Sequence, residues 1–397
     1  MNFELTEEQI EIQMASQNLA RDFATRRFQH DRDATNPIEN YELLKAAEFH
    51  ILNIPKELGG RGEKLFFHSL VVEQLARGCP ATALSFNMHL AWVGFLMENT
   101  EIAPDAKRRV AAWVVEGKNL VAGATSEAST SALLASYAPG TRARPVAGGF
   151  VLNGKKMFSS MVEAADFRAV PARRDGIDAP GAATVFLVPR DARGQSIEQV
   201  WDVLGMRGTR SDTLLLDECF VPSDAMIFDT DNIFPSMARG ANWFWASYTG
   251  VYLGIAAAIY EHVVKVVQTR VPKGYTQSIA YHPDVRRKIA EMNVDLEAAR
   301  WCVYQSAWLS DTEGPTQKAL SALYRAKYLV GESVGRIGRA ALTLGGAHSL
   351  FKGSPLEQFF RDGAVGAIQF PPSDFCLSSL GGLELELDPK EIMAPMR

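Results

Sequence analysis

The chain has 397 residues, of which 47% are hydrophobic and 22% are charged. This length and composition predict a globular protein of two or three packed units that share a large buried core. Its 41 basic and 46 acidic residues leave a formal net charge of -5. This balance offers no electrostatic reason to expect nucleic acid or an anionic membrane as a partner.

The sequence also carries signals about location. Residues 1–6 lead directly into a helical pattern, without a basic segment followed by an apolar one, so we expect no secretory signal. The apolar runs are too short to predict a membrane span. The cysteines lack the spacing of metal ligands, which predicts buried reduced thiols, no metal site and a cytoplasmic protein; they are Cys79, Cys219, Cys302 and Cys376.

The first two thirds of the chain change from a helical to a β pattern. Residues 1–120 place apolar side chains at helical spacing, and Thr6 with Gln9 has the pattern of a capping box. Residues 121–230 contain β-branched and apolar runs, in which Asn153-Gly154 predicts a hairpin turn. These segments indicate an N-terminal α-helical domain followed by a middle β domain.

Residues 231–397 return to the helical period. Long helices are predicted over 247–269, 284–309 and 315–344, and they can pack as a C-terminal helical bundle. The expected fold class is therefore α+β. No internal repeat interrupts the order of helices, β module and bundle.

Four short motifs add chemistry to this outline. Thr125 and Ser131 lie in a polar turn after a β run, and the segment from Asn153 to Ser160 carries an aromatic ring at Phe158 and a hydroxyl at Ser160. The third motif runs from residue 204 to 211 around an arginine, Arg207, which is equally compatible with a structural and a functional role. The fourth pairs Arg270 near Gly274 with Gly345-Gly346, and guanidinium and glycine amides suit a pyrophosphate.

In order and spacing, these motifs resemble the acyl-CoA dehydrogenases over nearly the whole chain. The resemblance implies a helical N-terminal domain, a middle β-barrel or sandwich and a C-terminal four-helix bundle. It implies that Thr125, Ser131, Phe158 and Ser160 face a flavin. It also implies that Arg270, Gly345 and Gly346 clasp the ADP half of FAD across a subunit interface, in a homodimer or homotetramer.

Several positions depart from the pattern of that family. Lys273 and Leu342 replace a phenylalanine and a glutamine near the ADP half, which leaves FMN open beside FAD. Taken alone, the polar turn at Thr125 fits an ordinary loop, and Phe158 fits a core position. The common spacing of the motifs favours the flavin.

The largest departure is at Phe370. The run from Arg361 to Pro372 resembles the loop in which the family carries its catalytic glutamate, and Phe370 stands at that position. Some members of the family place the glutamate on the first helix of the bundle, where this chain has Phe244. The candidate substitute bases are Asp374, Glu127 and His89, with His348 as a weaker one, and each also fits an ordinary hydrogen-bonded or solvated role.

Aromatic residues surround the second of these positions. Trp243, Phe244, Trp245 and Tyr248 predict either a core stripe or an aromatic wall around a substrate pocket. The family's aspartate and arginine for the CoA chain are replaced here by Asn242 and by a tryptophan. A dry pocket of this kind also suits chemistry between a flavin and oxygen.

These observations favour a flavin-dependent monooxygenase or oxidase that uses O2 on an acyl or ring-containing thioester, with or without CoA. A second interpretation is an acyl-CoA dehydrogenase with a relocated base, and a third is a non-redox flavin-binding or lyase-like member. The sequence has no Gly-x-Gly-x-x-Gly fingerprint, so electrons from a nicotinamide would need a separate flavin reductase or electron-transfer partner.

Overall fold

The computed structural model describes residues 3–128, 139–177, 179 and 181–387. Ser131, one of the predicted flavin contacts, lies outside these residues. The described chain forms helices, then a sheet, then a second group of helices, which confirms the predicted α+β class.

The N-terminal helices form a packed layer against the rest of the chain. At the first helix, the Thr6 hydroxyl accepts a hydrogen bond from the Gln9 amide at 3.2 Å, and the Gln9 side chain accepts one from the Thr6 amide at 3.1 Å. The predicted capping box is therefore present. The helices are α1 (Glu7–Phe23), α2 (Arg27–Asp33), α3 (Ile38–Ala46), α4 (Leu65–Gly78), α5 (Pro80–Glu98) and α6 (Pro104–Val115).

The middle part of the chain forms one mixed sheet. Its strands are β1 (Val121–Gly123), β2 (Arg142–Val146), β3 (Gly149–Ser159), β4 (Phe167–Arg174), β5 (Ala183–Pro189), β6 (Gln195–Glu198), β7 (Asp212–Pro222) and β8 (Met226–Thr230). The order of the strands is β6-β7-β3-β2-β4-β5-β8, and β1 pairs in parallel with β4. The long strand β3 is antiparallel to both of its neighbours, β2 and β7.

The predicted hairpin turn at Asn153-Gly154 is wrong, because both residues lie inside β3. The turn between β2 and β3 is formed instead by residues 147 and 148, where Gly148 has a φ of +81°. Gly154 lies beside an irregularity in the β3–β7 register, where a Cβ would come within 2.3 Å of the Thr141 hydroxyl. The glycine is therefore needed for a close contact rather than for a turn.

The C-terminal helices are α7 (Phe234–Thr269), α8 (Pro283–Glu313), α9 (Gln317–Gly345), α10 (Pro355–Ala364) and α11 (Ser373–Glu384). The three long helices that the sequence predicted are present; α7 and α8 are longer than expected, and α9 has nearly the predicted bounds. The segment of α7 from Arg239 to Thr269 is long and apolar enough to cross a membrane by length and composition. In the protein, 67% of its most apolar window is buried, as in the central helix of a bundle.

Candidate functional site

An exposed aromatic ring lies near the C-terminal end of β3. Phe158 is 61% exposed and has a φ of +54°, in the left-handed region that a bulky side chain seldom adopts. The residue before it, Met157, donates its amide to the Ser126 carbonyl at 2.8 Å, which places the exposed Thr125 in the neighbouring segment. The Phe158 ring meets Trp201 edge to face at 6.2 Å. Two of the predicted flavin contacts, Thr125 and Phe158, therefore lie on adjacent segments that pair with each other.

A line of hydroxyl groups begins next to this ring. The Ser160 hydroxyl is 2.8 Å from that of Ser211, which is 2.8 Å from that of Thr209. Thr209 in turn donates to the Met206 carbonyl at 2.8 Å. The sequence predicts that Ser160 contacts a flavin. The hydroxyls of Ser211 and Thr209 lie in the third motif, for which no hydroxyl role is predicted.

The segment that carries these hydroxyls is fastened to α10. Asp362 accepts the Met206 amide at 2.6 Å, and Arg361 donates to the Leu204 carbonyl at 3.0 Å. Burial raises the pKa of Asp362 to about 7. Arg207 is also held, by the Asp31 carbonyl at 2.9 Å among other contacts, so its contacts fit the structural role.

The loop after α10 ends in a group of rings that we call the aromatic cluster. Its members are Trp245, Tyr324, Phe370 and Phe375, and each ring is in contact with two others at centroid distances of 5.3–6.1 Å. Phe370 meets Trp245 edge to face at 5.4 Å and remains 37% exposed. The surface at Phe370 is therefore apolar and partly open.

Two buried polar side chains form hydrogen bonds to this loop. Lys327 donates to the Gly366 carbonyl at 2.7 Å, and the Tyr252 hydroxyl donates to the side chain of Gln369. Burial lowers the pKa of Lys327 to about 8 and raises that of Tyr252. Sequence reasoning missed Lys327, although a single lysine among the apolar positions of α9 was a usable signal.

The aromatic residues of α7 do not form one wall, because neighbouring positions on a helix point about 100° apart. Trp243 is buried and donates to Glu98 at 2.8 Å. Phe244 packs against Trp92 at 5.0 Å, and Tyr248 contacts a methionine sulfur on α5. Of the four predicted pocket residues, only Trp245 joins the aromatic cluster.

The predicted ADP clamp lies at the other end of α7. Arg270 is exposed, and its guanidinium is 3.3 Å from where a Cβ on Gly346 would be, so the two come together. Gly345 precedes this glycine at the end of α9. Trp245 and Arg270 are 25 residues apart on one helix, which corresponds to about 38 Å. Within one chain, the aromatic cluster and the predicted ADP clamp are therefore well separated along α7.

Comparison with known proteins agrees with this architecture. Residues 6–103, 122–219 and 236–369 match the N-terminal, middle and C-terminal domains of acyl-CoA dehydrogenase, respectively. The protein called "Putative acyl-CoA dehydrogenase YdbM" of Bacillus subtilis is 30% identical over 356 residues, which are 90% of this chain and 91% of YdbM. The chain belongs to the acyl-CoA dehydrogenase family.

Solved structures of low identity share the fold of this acyl-CoA dehydrogenase family member. KijD3, in complex with FMN and a dTDP-linked amino sugar, matches with a TM-score of 0.85 at 23% identity, over 98% of this chain and 97% of KijD3. The FAD complex of PigA matches with a TM-score of 0.82 at 20% identity, over 98% of this chain and all (100%) of PigA.

Glu127, one candidate for the base of this acyl-CoA dehydrogenase family member, is part of a buried ion pair. It accepts hydrogen bonds from the Lys156 ammonium, from the Gly140 amide at 2.6 Å and from the Thr141 hydroxyl at 2.7 Å. Burial raises its pKa, but Lys156 and Thr141 outweigh burial and the net direction is downward. These contacts indicate a structural role for the Glu127 carboxylate, which links β3 to the segment that precedes β2.

His89 is also committed to the interior. Its Nδ1 accepts the Val121 amide at 3.0 Å, so its Nε2 carries the hydrogen that is donated to the His50 carbonyl at 2.8 Å. Burial lowers the pKa of His89 to about 3, and the ring is neutral at ordinary pH. His89 thus links α5 to β1 through Nδ1 and to the segment at His50 through Nε2.

The other candidates lie at the surface. Asp374 is exposed in the first turn of α11, one residue before Phe375 of the aromatic cluster. His348 is exposed beside Phe351, at a ring distance of 5.9 Å. Among the candidate bases, only Asp374 is adjacent in sequence to the aromatic cluster.

Proposed function

We propose that this protein is a flavin-dependent oxidoreductase that uses O2, as a monooxygenase or oxidase, on an acyl or ring-containing substrate. The observation that carries the proposal is the aromatic cluster at Phe370. Base-assisted desaturation needs a group that accepts the α-proton, and a phenyl ring cannot accept one. The phenols of Tyr248 and Tyr252 do not replace it, because burial raises the pKa of both groups and keeps them protonated.

The residues at the C-terminal end of β3 fit a flavin. The exposed Phe158 ring gives a flat apolar face, Thr125 and Ser126 provide a polar strand edge, and Ser160 adds a hydroxyl. A bound flavin would supply two-electron transfer and, when reduced, reactivity with O2. The protein's part is to hold the ring and to orient the substrate on the apolar faces of Phe370 and Trp245.

The separation between the aromatic cluster and the predicted ADP clamp leaves two sizes of flavin cofactor to compare. If the cofactor is FAD, Arg270 and Gly346 of one copy would hold the ADP half of a flavin whose ring lies on a second copy. If it is FMN, the edge at Phe158 would suffice. FMN in the KijD3 complex and FAD in the PigA complex support both forms. Mass spectrometry of the released cofactor and the mass of the assembly in solution distinguish these cases.

Oxygen use is tested with purified, flavin-loaded protein under two conditions. Without oxygen, we expect butyryl-CoA and aromatic acyl-CoA thioesters to leave the flavin absorbance unchanged. After reduction of the flavin by a separate flavin reductase with NADH, we expect O2 to reoxidise it. A ring-containing substrate should change the products of that reoxidation. Rapid anaerobic bleaching by butyryl-CoA, without oxygen consumption under air, would refute the proposal.

A relocated base is the second candidate, and the position of Asp374 beside the aromatic cluster favours it over Glu127. If a thioester does bleach the flavin, Asp374→Asn should abolish that reduction, while Glu384→Gln at the other end of α11 serves as the matched control. Unchanged bleaching in Asp374→Asn would eliminate this role. A flavin that neither substrates nor O2 can change would point to the non-redox alternative.

A further inference from the structure

The hydroxyl chain next to Phe158 has a direction that can be worked out by counting hydrogens. Each hydroxyl has one hydrogen and can accept two hydrogen bonds. A carbonyl cannot donate, so the 2.8 Å contact between Thr209 and the Met206 carbonyl uses the hydrogen of Thr209. Thr209 can then only accept from Ser211, at 2.8 Å.

The same count continues outwards. Ser211 has used its hydrogen on Thr209, so the 2.8 Å contact with Ser160 must use the hydrogen of Ser160. If the chain ran the other way, the oxygens of Thr209 and Met206 would face each other at 2.8 Å with no hydrogen between them, which is repulsive. Ser160 therefore has no hydrogen left for a ligand and presents only lone pairs.

The surroundings keep this arrangement in place. Thr209 and Ser211 are buried, so water cannot easily exchange partners with them, and Ser160 at the outer end is half-buried. The neighbouring charges neutralise each other, because Arg210 and Asp212 form an ion pair at 2.8 Å. The polarity at Ser160 is thus set by the hydroxyl chain rather than by a nearby net charge.

We propose that the chain Ser160–Ser211–Thr209 makes Ser160 an obligatory hydrogen-bond acceptor toward the bound flavin and so selects its reduced form. The inference rests on the proposed flavin site, with the ring nitrogen N5 of the flavin facing Ser160. The flavin ring nitrogen N5 carries a hydrogen only when the ring is reduced, and the oxidised nitrogen offers a lone pair instead. An acceptor at this nitrogen stabilises the reduced flavin, whereas a donor would stabilise the oxidised one.

The direction of the chain can be reversed by one substitution. Thr209→Val removes the hydroxyl that accepts from Ser211, so Ser211 can donate to Ser160 and Ser160 can donate to the flavin. Thr209→Ser keeps the hydroxyl and should keep the direction. Ser306→Ala removes a buried hydroxyl of α8 that donates to the Val303 carbonyl at 2.9 Å and serves as the distant control.

The test measures the midpoint potential of the bound flavin and the Kd of its oxidised and reduced forms. In Thr209→Val we expect the preference for reduced over oxidised flavin to fall about tenfold, which lowers the potential of a two-electron couple by about 30 mV. Ser160→Ala should also lower it, whereas Thr209→Ser and Ser306→Ala should match the unmodified protein.

The outcomes separate this inference from the function on which it rests. A protein that binds flavin, but whose potential is the same in Thr209→Val and Thr209→Ser, overturns the hydroxyl chain and leaves the flavin site standing. A higher potential in Thr209→Val overturns the assigned direction. A purified protein that binds neither FMN nor FAD overturns the proposed flavin site and this inference together.

Discussion

Lys156→Met is expected to destabilise the protein severely, because Lys156 is a fully buried cation. Its ammonium donates to Glu127 and, at 2.6 Å, to the Pro171 carbonyl. Removing one partner of a buried ion pair costs about 3–5 kcal/mol. Glu127 keeps its donors from residues 140 and 141, so we expect the lower end of that range, about 3 kcal/mol.

The preceding residue provides a matched control. Lys155 lies on the same strand and pairs with Glu198 at 2.7 Å, but both side chains of that pair are about half exposed. A surface pair of this kind contributes about 0–1 kcal/mol. Lys155→Met removes the same group, so the difference between the two variants isolates the effect of burial.

Urea unfolding measures both variants, from the midpoint of the transition at an unchanged m-value. The double variant Lys156→Met/Glu127→Gln should be less destabilised than the sum of the two single ones, by about 2 kcal/mol. The folded pKa of Glu127 lies below its ordinary 4.5, so its stabilisation is complete above pH 4.5 and is lost as the pH falls through the folded value. Equal effects of Lys156→Met and Lys155→Met would refute the reasoning.

The remaining predictions concern the cofactor and pH. Phe158→Ala should weaken flavin binding about tenfold in a fluorescence titration without moving the urea midpoint, because the ring is largely exposed, whereas the control Phe220→Ala should change neither. Arg270→Gln should weaken retention of FAD but not of FMN, as measured on the purified assembly; equal loss of both would contradict the clamp. Burial raises the folded pKa of Asp311 from 3.8 to about 7 despite two amide donors, so the unfolded chain loses this proton first and stability should fall as pH rises between these values. Asp311→Asn should remove the contribution of this carboxyl to the fall of the urea midpoint between about pH 4 and pH 8. An unchanged dependence of the midpoint on pH would contradict this prediction.

Much of the fold could be predicted from local pattern. The helical periods and the capping box at Thr6 concern residues within a few positions of one another, where sequence and geometry are directly related. Asn153-Gly154 shows the limit of that approach. A pair typical of turns was placed inside β3, because its glycine was required by contact with Thr141, which lies in another segment.

The candidate site depended more strongly on distant contacts. By residue type Glu127 is a plausible base, but Lys156, 29 residues away in sequence, pairs with it. Trp243 and Trp245 have the same side chain two positions apart, yet one is buried against Glu98 and the other faces Phe370. Helix rotation and strand register decide such contacts, and neither can be obtained from residue type alone.

The sequence by itself determined that the family position for a base holds Phe370 and that rings, hydroxyls and glycines occur at the spacing of a flavin protein. These are properties of residue identity and order, and no folding can give a phenyl ring a carboxylate. Only the tertiary structure decided which groups are free to act: Glu127 and His89 are held by buried partners, and the hydroxyls of Ser160, Ser211 and Thr209 are joined in one direction. Hydrogen bonding depends on distance and on the count of available hydrogens, and both are settled when remote segments pack together.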